Sequence, residues 1–405
     1  MRRVVSGEPR GSTFDVAAVP VGVPCGARSC SGTAGCSKVA QAAAQEMRAS
    51  RFGAVKRARA ESGGCGRRLH TGPVNPEHAL RRIQANGVPV ESLALYGRWW
   101  QLEVWLRQLA YLVLHAAWGD AWETEVNKKA AAYAANDNLV HLVGPDQPDL
   151  LGYLDFGLLL QLFDDNWRIF EPFLLQRVVW DGRAVEMRSI RNRVGHVRRS
   201  GARDRERVEH LLSDLEPGFR GALKAVATRP VDADRRWTGD PVAADYATGR
   251  LGGACDHLRR KYGFDVELGV SEMPWAEVPP SSGNLSGVAG VLWQLSIGGP
   301  GRLVFPSRLA DMIQPVRENV VYVFAGTGFG AQLAVPAVDD VETILRALTH
   351  FAEGYPSCAV PLERVSTEDV NAWPGDVDGL DSRVLVEHLF AIALSFDAPG
   401  GVFGV

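Results

Sequence analysis

The residues best suited to chemistry in this chain lie at Arg191-Asn192-Arg193-Val194-Gly195-His196. In a helix Asn192 and His196 share one face, four residues apart, and the long Arg191 side chain reaches the same surface. A guanidinium holds a phosphate through paired, charge-assisted hydrogen bonds. An imidazole, with an unperturbed pKa of about 6.5, gives or takes a proton at neutral pH. A cation, an amide and an imidazole together suit phosphodiester chemistry that needs no metal.

The spacing alone equally describes a solvated arginine-rich helix face with an incidental histidine. The surroundings separate the two readings. Arg183, Arg188, Arg191, Arg193, Arg198, Arg199, Arg203, Arg205 and Arg207 stand against only Glu186, Asp204 and Glu206. That is a local positive field, as a polyanion site requires. It sits in a stretch, 73–229, whose charges otherwise balance at 20 of each sign. The flanks differ: 1–72 carries 12 Lys+Arg against 4 Asp+Glu, and 230–405 carries 12 against 23. Polyanion contact is therefore not expected across the acidic C-terminal part.

The elements that must hold the motif read as helices. Residues 1–72 are rich in Gly, Ala, Ser and Arg and poor in aromatics, and are expected to be a disordered basic leader. A helical bundle is expected over 73–228. Asn75-Pro76-Glu77 starts a short helix that Gly87-Val88-Pro89 stops. A long helix follows over about 91–117, with Trp99, Leu102, Leu106, Leu109 and Val113 at helical spacing. Further helices are expected at 125–142, 149–162 and 184–200, with another over 204–215. Trp180-Asp181-Gly182 reads as a turn, and Pro217-Gly218 closes the region. A polar linker is expected at 229–240. Residues 241–405 then read as an acidic α+β domain, with helices at 245–262, 339–352 and 380–394 and strands at 288–297, 319–324 and 332–335. The fold class is thus multi-domain: an all-α bundle followed by a small α+β domain.

Three landmarks in order carry a resemblance. The motif Arg191-Asn192…His196 is similar to the Arg-polar-x-x-x-His of HEPN-superfamily ribonucleases, found on the last main helix of a helical bundle. Leu102-Glu103…Leu106-Arg107…Tyr111, followed by Trp118-Gly119-Asp120-Ala121-Trp122, resembles the long first helix of a bacterial branch. Leu154-Asp155-Phe156-Gly157 with Asn166-Trp167…Phe170 resembles a second stretch of that branch. This branch is similar to the HEPN module of a eukaryotic nuclear endoribonuclease of messenger-RNP quality control. The resemblance spans roughly 90–215.

The resemblance implies a metal-independent endoribonuclease with no cofactor. His196 would transfer a proton to or from the ribose 2′-hydroxyl or the leaving 5′-oxygen. Arg191 would hold the scissile phosphate, and Asn192 would orient the imidazole or donate to a phosphate oxygen. Glu103 and Arg107 would play a supporting role. Arg188, Arg193, Arg198 and Arg199 are the expected RNA contacts. The implied assembly is a homodimer with two motifs facing one cleft, in a bacterial defence or toxin-like setting. Residues 230–405 would then bind a regulatory protein or ligand. Two other readings are a non-catalytic nucleotide- or RNA-binding module and a dimeric interaction scaffold.

Other features point away from further chemistry. Gly326-Thr327-Gly328-Phe329-Gly330 lacks the Lys-Ser/Thr of a phosphate loop and reads as a hairpin turn. Asp155 and Asn166 read as cap or turn residues. Asp376, Asp378 and Asp381 read as a solvated loop. Cys25, Cys30, Cys36, Cys65, Cys255 and Cys358 contain no CxxC and make a poor zinc set. A reducing cytoplasm is expected, and no apolar run reaches the roughly 18–20 residues that span a bilayer.

Overall fold

The computed structural model describes residues 76–126, 130–133, 135, 150–196, 198–227, 231–232, 237, 239–277, 283–299, 301–326, 330–365 and 383–386. The expected leader, four of the six cysteines, the acids at 376–381 and most of the expected helix at 125–142 lie outside them. The chain is mostly helical, with a mixed sheet in its C-terminal region. Among the described residues no helix is long and apolar enough to cross a membrane.

Helix α1 (Pro76–Ala85) opens on its proline and stops before Gly87, whose φ of 85° favours glycine. Helix α2 (Val90–Trp118) carries the expected stripe of Trp99, Leu102, Leu106, Leu109 and Val113. Trp105 and Leu112 are buried as well, so α2 is the central helix of its region. It ends at Gly119, with φ 57°, where a Cβ would fall 1.7 Å from Asp339 Oδ1.

The expected helix at 149–162 is split. A 3-10 turn (Leu150–Tyr153) comes first, then α3 (Phe156–Asp165). Asp155 divides them because its carboxylate accepts from Leu158 N at 2.9 Å and so caps α3, the cap role expected for it. Asn166 closes α3, and a short α4 (Trp167–Phe170) follows.

Helix α5 (Arg177–Gly195) runs straight through the expected turn at Trp180-Asp181-Gly182. Trp180, Ala184, Met187 and Ile190 form its buried face. Burying a large aromatic and its neighbours outweighs the roughly 1 kcal/mol that Gly182 costs a helix. It also ends earlier than expected, at Gly195 rather than near 200.

Helix α6 (Asp204–Ala227) continues through Pro217-Gly218, which was expected to end it. Gly218 is the reason it can lie where it does: a Cβ there would fall 1.8 Å from the Phe173 carbonyl oxygen.

The sheet has the order β1-β2-β3-β6-β5-β8, formed by Val231–Asp232, Asp265–Glu272, Val291–Gly298, Gly330–Pro336, Tyr322–Ala325 and Val384–Val386. All neighbours are antiparallel except β5 and β8. β5 and β6 form a hairpin closed by Gly326 N donating to Gly330 O at 3.0 Å, so the glycine run joins two strands as expected. Strand β8 occupies part of the segment expected to be helix at 380–394. Strand β2 was not anticipated, and the expected helix at 245–262 breaks into α7 (Pro241–Thr248) and α8 (Arg250–His257) at Gly249. There the Asp245 carboxylate turns back to accept from Leu251 N at 2.8 Å. Helix α9 (Pro306–Ile313), the small pair β4 (Arg302–Val304) and β7 (Ala359–Pro361), and α10 (Val341–Cys358) complete the region. Asp340 caps α10 by accepting from Thr343 N.

Both faces of the sheet are covered. Val291, Trp293, Leu295 and Ile297 of β3 pack with α7, α8, α9 and α10. Leu292 from the opposite face belongs to one core with α2, α3, α5 and α6, as do Met273, Tyr322, Ala334 and Leu385. The described residues beyond Pro76 accordingly form one compact unit. The face toward α2 also holds polar groups. Buried Gln294 donates to Ser271 Oγ at 2.7 Å and to Tyr322 Oη at 2.8 Å.

Candidate functional site

The motif lies at the exposed end of α5. With Trp180, Ala184, Met187 and Ile190 turned inward, the outer face carries Val178, Gly182, Val185, Ser189 and Asn192, all exposed. Spacings of four and three alternate along this stripe, and the next step is His196. The imidazole is exposed and stands at the C-cap, one residue beyond the helix. Arg191 is half-buried and folds along the helix: its Nη1 lies 3.4 Å from where a Gly195 Cβ would sit. The three motif residues therefore reach solvent within one turn of the helix end. The backbone there offers no anion site, because a helix C-terminus is the negative end of its dipole. Positive charge must come from side chains.

The arginine cluster divides by role. Arg193, expected as an RNA contact, grips Asp204 instead, with Nε and Nη2 each 2.7 Å from a carboxylate oxygen. It also donates to Ser189 Oγ at 3.1 Å. Asp204 is buried and accepts from Gly201 N at 2.7 Å. Burial alone would raise the Asp204 carboxyl, but the Arg193 and Gly201 donors hold it below its ordinary range. This clasp joins the end of α5 to the start of α6. Arg183 pairs with Glu186 and Asp214, Arg207 with Glu186, and Arg205 with Glu91 and Glu209. Arg188, Arg198 and Arg199 are exposed, and no ion pair engages them among the described residues.

Glu103 and Arg107 form an i, i+4 ion pair at 2.6 Å, with both side chains 17% exposed. Glu103 also accepts from Trp99 Nε1 at 2.6 Å. Arg107 Nε donates to the Leu151 carbonyl at 3.0 Å, and Nη2 reaches that of Leu154 at 3.4 Å. The pair thus ties α2 to the turn before α3, which is a positioning role.

Sequence reasoning missed a cavity of about 490 Å³ between α2, the following 3-10 stretch (Gly119–Glu125) and the β5–β8 side of the sheet. Its walls include Arg107, Tyr111 and Trp122 from the helical part, and Arg317, Tyr322 and Arg383 from the sheet part. Tyr111 Oη donates to Val320 O at 2.8 Å and accepts from Arg383 Nε at 2.7 Å. His115, fully buried, stands 2.9 Å from the same hydroxyl. Burial first, and then the Arg383 charge, push its pKa down to about 3. Nothing in the spacing of Tyr111 announces partners more than 200 residues away. Nearby, Asp120 N donates to Asp339 Oδ1 at 3.0 Å. Burial pushes the Asp339 carboxyl up to about 6.

No group of three or more His, Cys, Asp or Glu with metal-binding geometry occurs among the described residues. No family model, curated protein or solved structure matches the chain.

Proposed function

We propose that the chain is a HEPN-type, metal-independent endoribonuclease that works as a symmetric pair. The observation that carries this reading is the outer face of α5. Its apolar and small residues, Val178, Gly182, Val185 and Ser189, lead in one stripe to Asn192 and His196. Val178 and Val185 are 85% and 66% exposed, a cost that a second copy of the helix would remove. Transesterification uses two proton-transfer groups, and one chain brings one motif histidine. Pairing along the stripe supplies the second.

In the proposed step one His196 takes the proton from a ribose 2′-hydroxyl. The 2′-oxygen attacks phosphorus while the P–O5′ bond breaks. His196 of the partner subunit protonates the departing 5′-oxygen. The products are a 2′,3′-cyclic phosphate and a 5′-hydroxyl. Arg191 holds the non-bridging oxygens as their charge grows, Asn192 orients the imidazole, and Arg188, Arg198 and Arg199 track the flanking phosphates. Arg193 holds the helix end in place.

The test is cleavage of a single-stranded RNA by the purified full chain in EDTA. Wild type is expected to cut it, and His196→Ala and Arg191→Ala to lose at least about a hundredfold in rate without losing stability. Val185→Glu should give monomers and lose cleavage together. Metal dependence, or equal cleavage by His196→Ala, would overturn the reading. RNA binding that survives His196→Ala, with no cleavage by wild type, would favour the binding-module alternative.

A further inference from the structure

The cavity beside α2 sorts its charges by depth. The arginines on its wall are withdrawn from solvent: the side chains of Arg383, Arg107 and Arg317 are 5%, 17% and 19% exposed. The acids on its wall are at the mouth: Asp120, Glu123 and Glu318 are exposed. Between them stand flat rings. Trp122 is 3% exposed and Tyr322 is fully buried, and Arg383 lies over the Tyr111 ring at 5.2 Å. One polar atom on the wall is unanswered: Gln108 Oε1 is buried and has no hydrogen-bond partner among the described residues. A buried acceptor left without a donor is costly, so it marks a place where a donor belongs. The volume of about 490 Å³ lies in the range of roughly 300–1,000 Å³ of small-molecule sites.

We propose that this cavity binds a small amphoteric molecule: an anionic head directed inward to the arginines, a planar ring between Tyr111 and Trp122, and hydrogen-bond donors toward Gln108 and the acidic mouth. A phosphate or a carboxylate can serve as the head. A nucleoside monophosphate with an amino-bearing base has this layout, and so does an aromatic amino acid. The site uses none of Arg191, Asn192 and His196, so it stands whether or not the chain cuts RNA. Its walls come from α2 and from the sheet, so the ligand would tie these two parts together.

The experiment is thermal unfolding of the full chain with AMP, CMP or tryptophan, each against a partner lacking the anion (adenosine, cytidine, tryptamine), and with inorganic phosphate alone. At about a hundredfold over Kd the expected rise in Tm is roughly 4 °C. A shift from AMP or CMP identifies phosphate as the head, and a shift from tryptophan identifies a carboxylate. In either case Gln108→Leu and, separately, Arg317→Gln should weaken binding at least tenfold while the ligand-free Tm stays within about 2 °C. The proposal is overturned if no probe shifts the Tm, if the anion-free partners or phosphate alone shift it equally, or if both variants bind as wild type does.

Discussion

The clasp between Arg193 and Asp204 separates architecture from chemistry in the arginine cluster, and a double-mutant cycle can test it. Two guanidinium N–H groups meet the two carboxylate oxygens at 2.7 Å, and the Gly201 amide adds a third donor at the same distance. Asp204 is 5% exposed at its side chain and Arg193 is 30% exposed. Breaking a fully buried pair costs about 3–5 kcal/mol. Solvent screening on the Arg193 side reduces this, so Asp204→Ala should lose about 2–3 kcal/mol. The coupling between Arg193→Ala and Asp204→Ala, read by urea unfolding of the full chain at pH 7, should be about 2 kcal/mol. Its pH dependence has a fixed sign. The Asp204 carboxyl is held below its ordinary 3.8, so the contribution is complete above that value and fades as pH falls through the folded pKa. A coupling under about 0.5 kcal/mol would refute the clasp. So would an Arg193→Ala variant of unchanged stability whose RNA affinity falls as far as that of Arg198→Ala.

Two further outcomes follow from close contacts and buried charge. Gly218→Ala should destabilise by about 3 kcal/mol or more, because its Cβ would meet the Phe173 carbonyl oxygen at 1.8 Å and α6 would have to move. Gly221→Ala, with Phe173 Cδ1 3.9 Å away, should be neutral or stabilising by up to about 1 kcal/mol; equal effects at the two sites in chemical denaturation would count against this packing. For Asp339 the folded pKa of about 6 lies above the ordinary 3.8, so its contribution is complete below 3.8 and is lost as pH rises through 6. The stability of wild type relative to Asp339→Asn should therefore fall by about 3 kcal/mol between pH 4 and pH 7, and a flat difference would show that the carboxyl is not desolvated.

Local signals were legible where one residue decides the outcome. Pro76 opened α1, Gly119 closed α2, and the Trp99–Val113 stripe marked its buried face. The failures have a common cause. Gly182 and Pro217-Gly218 looked like breaks, but Trp180 and the close approach to Phe173 are tertiary effects that no short window contains. Strand β8 looked helical because Leu385 and Val386 suit either state. Pairing with β5 decided it. At the site, the motif and the Glu103–Arg107 pair were visible because each lies within one or two turns. The loss of Arg193 to Asp204 was not, since eleven residues separate them. The cavity could not be read at all: Arg383 meets Tyr111 across 272 positions.

The connections running from α2 to the sheet carry a consequence for engineering. Tyr111 bonds Val320 O, the Ala116 carbonyl accepts from Gly290 N at 2.7 Å, and Asp120 N meets Asp339, all within ten residues of chain. Leu292, Tyr322 and Leu385 lie in the same core as Leu109 and Val113. The helical part is therefore no transferable cassette. A truncation near 240 would bare an apolar flank on its central helix, and grafting another effector there would require that flank to be redesigned first.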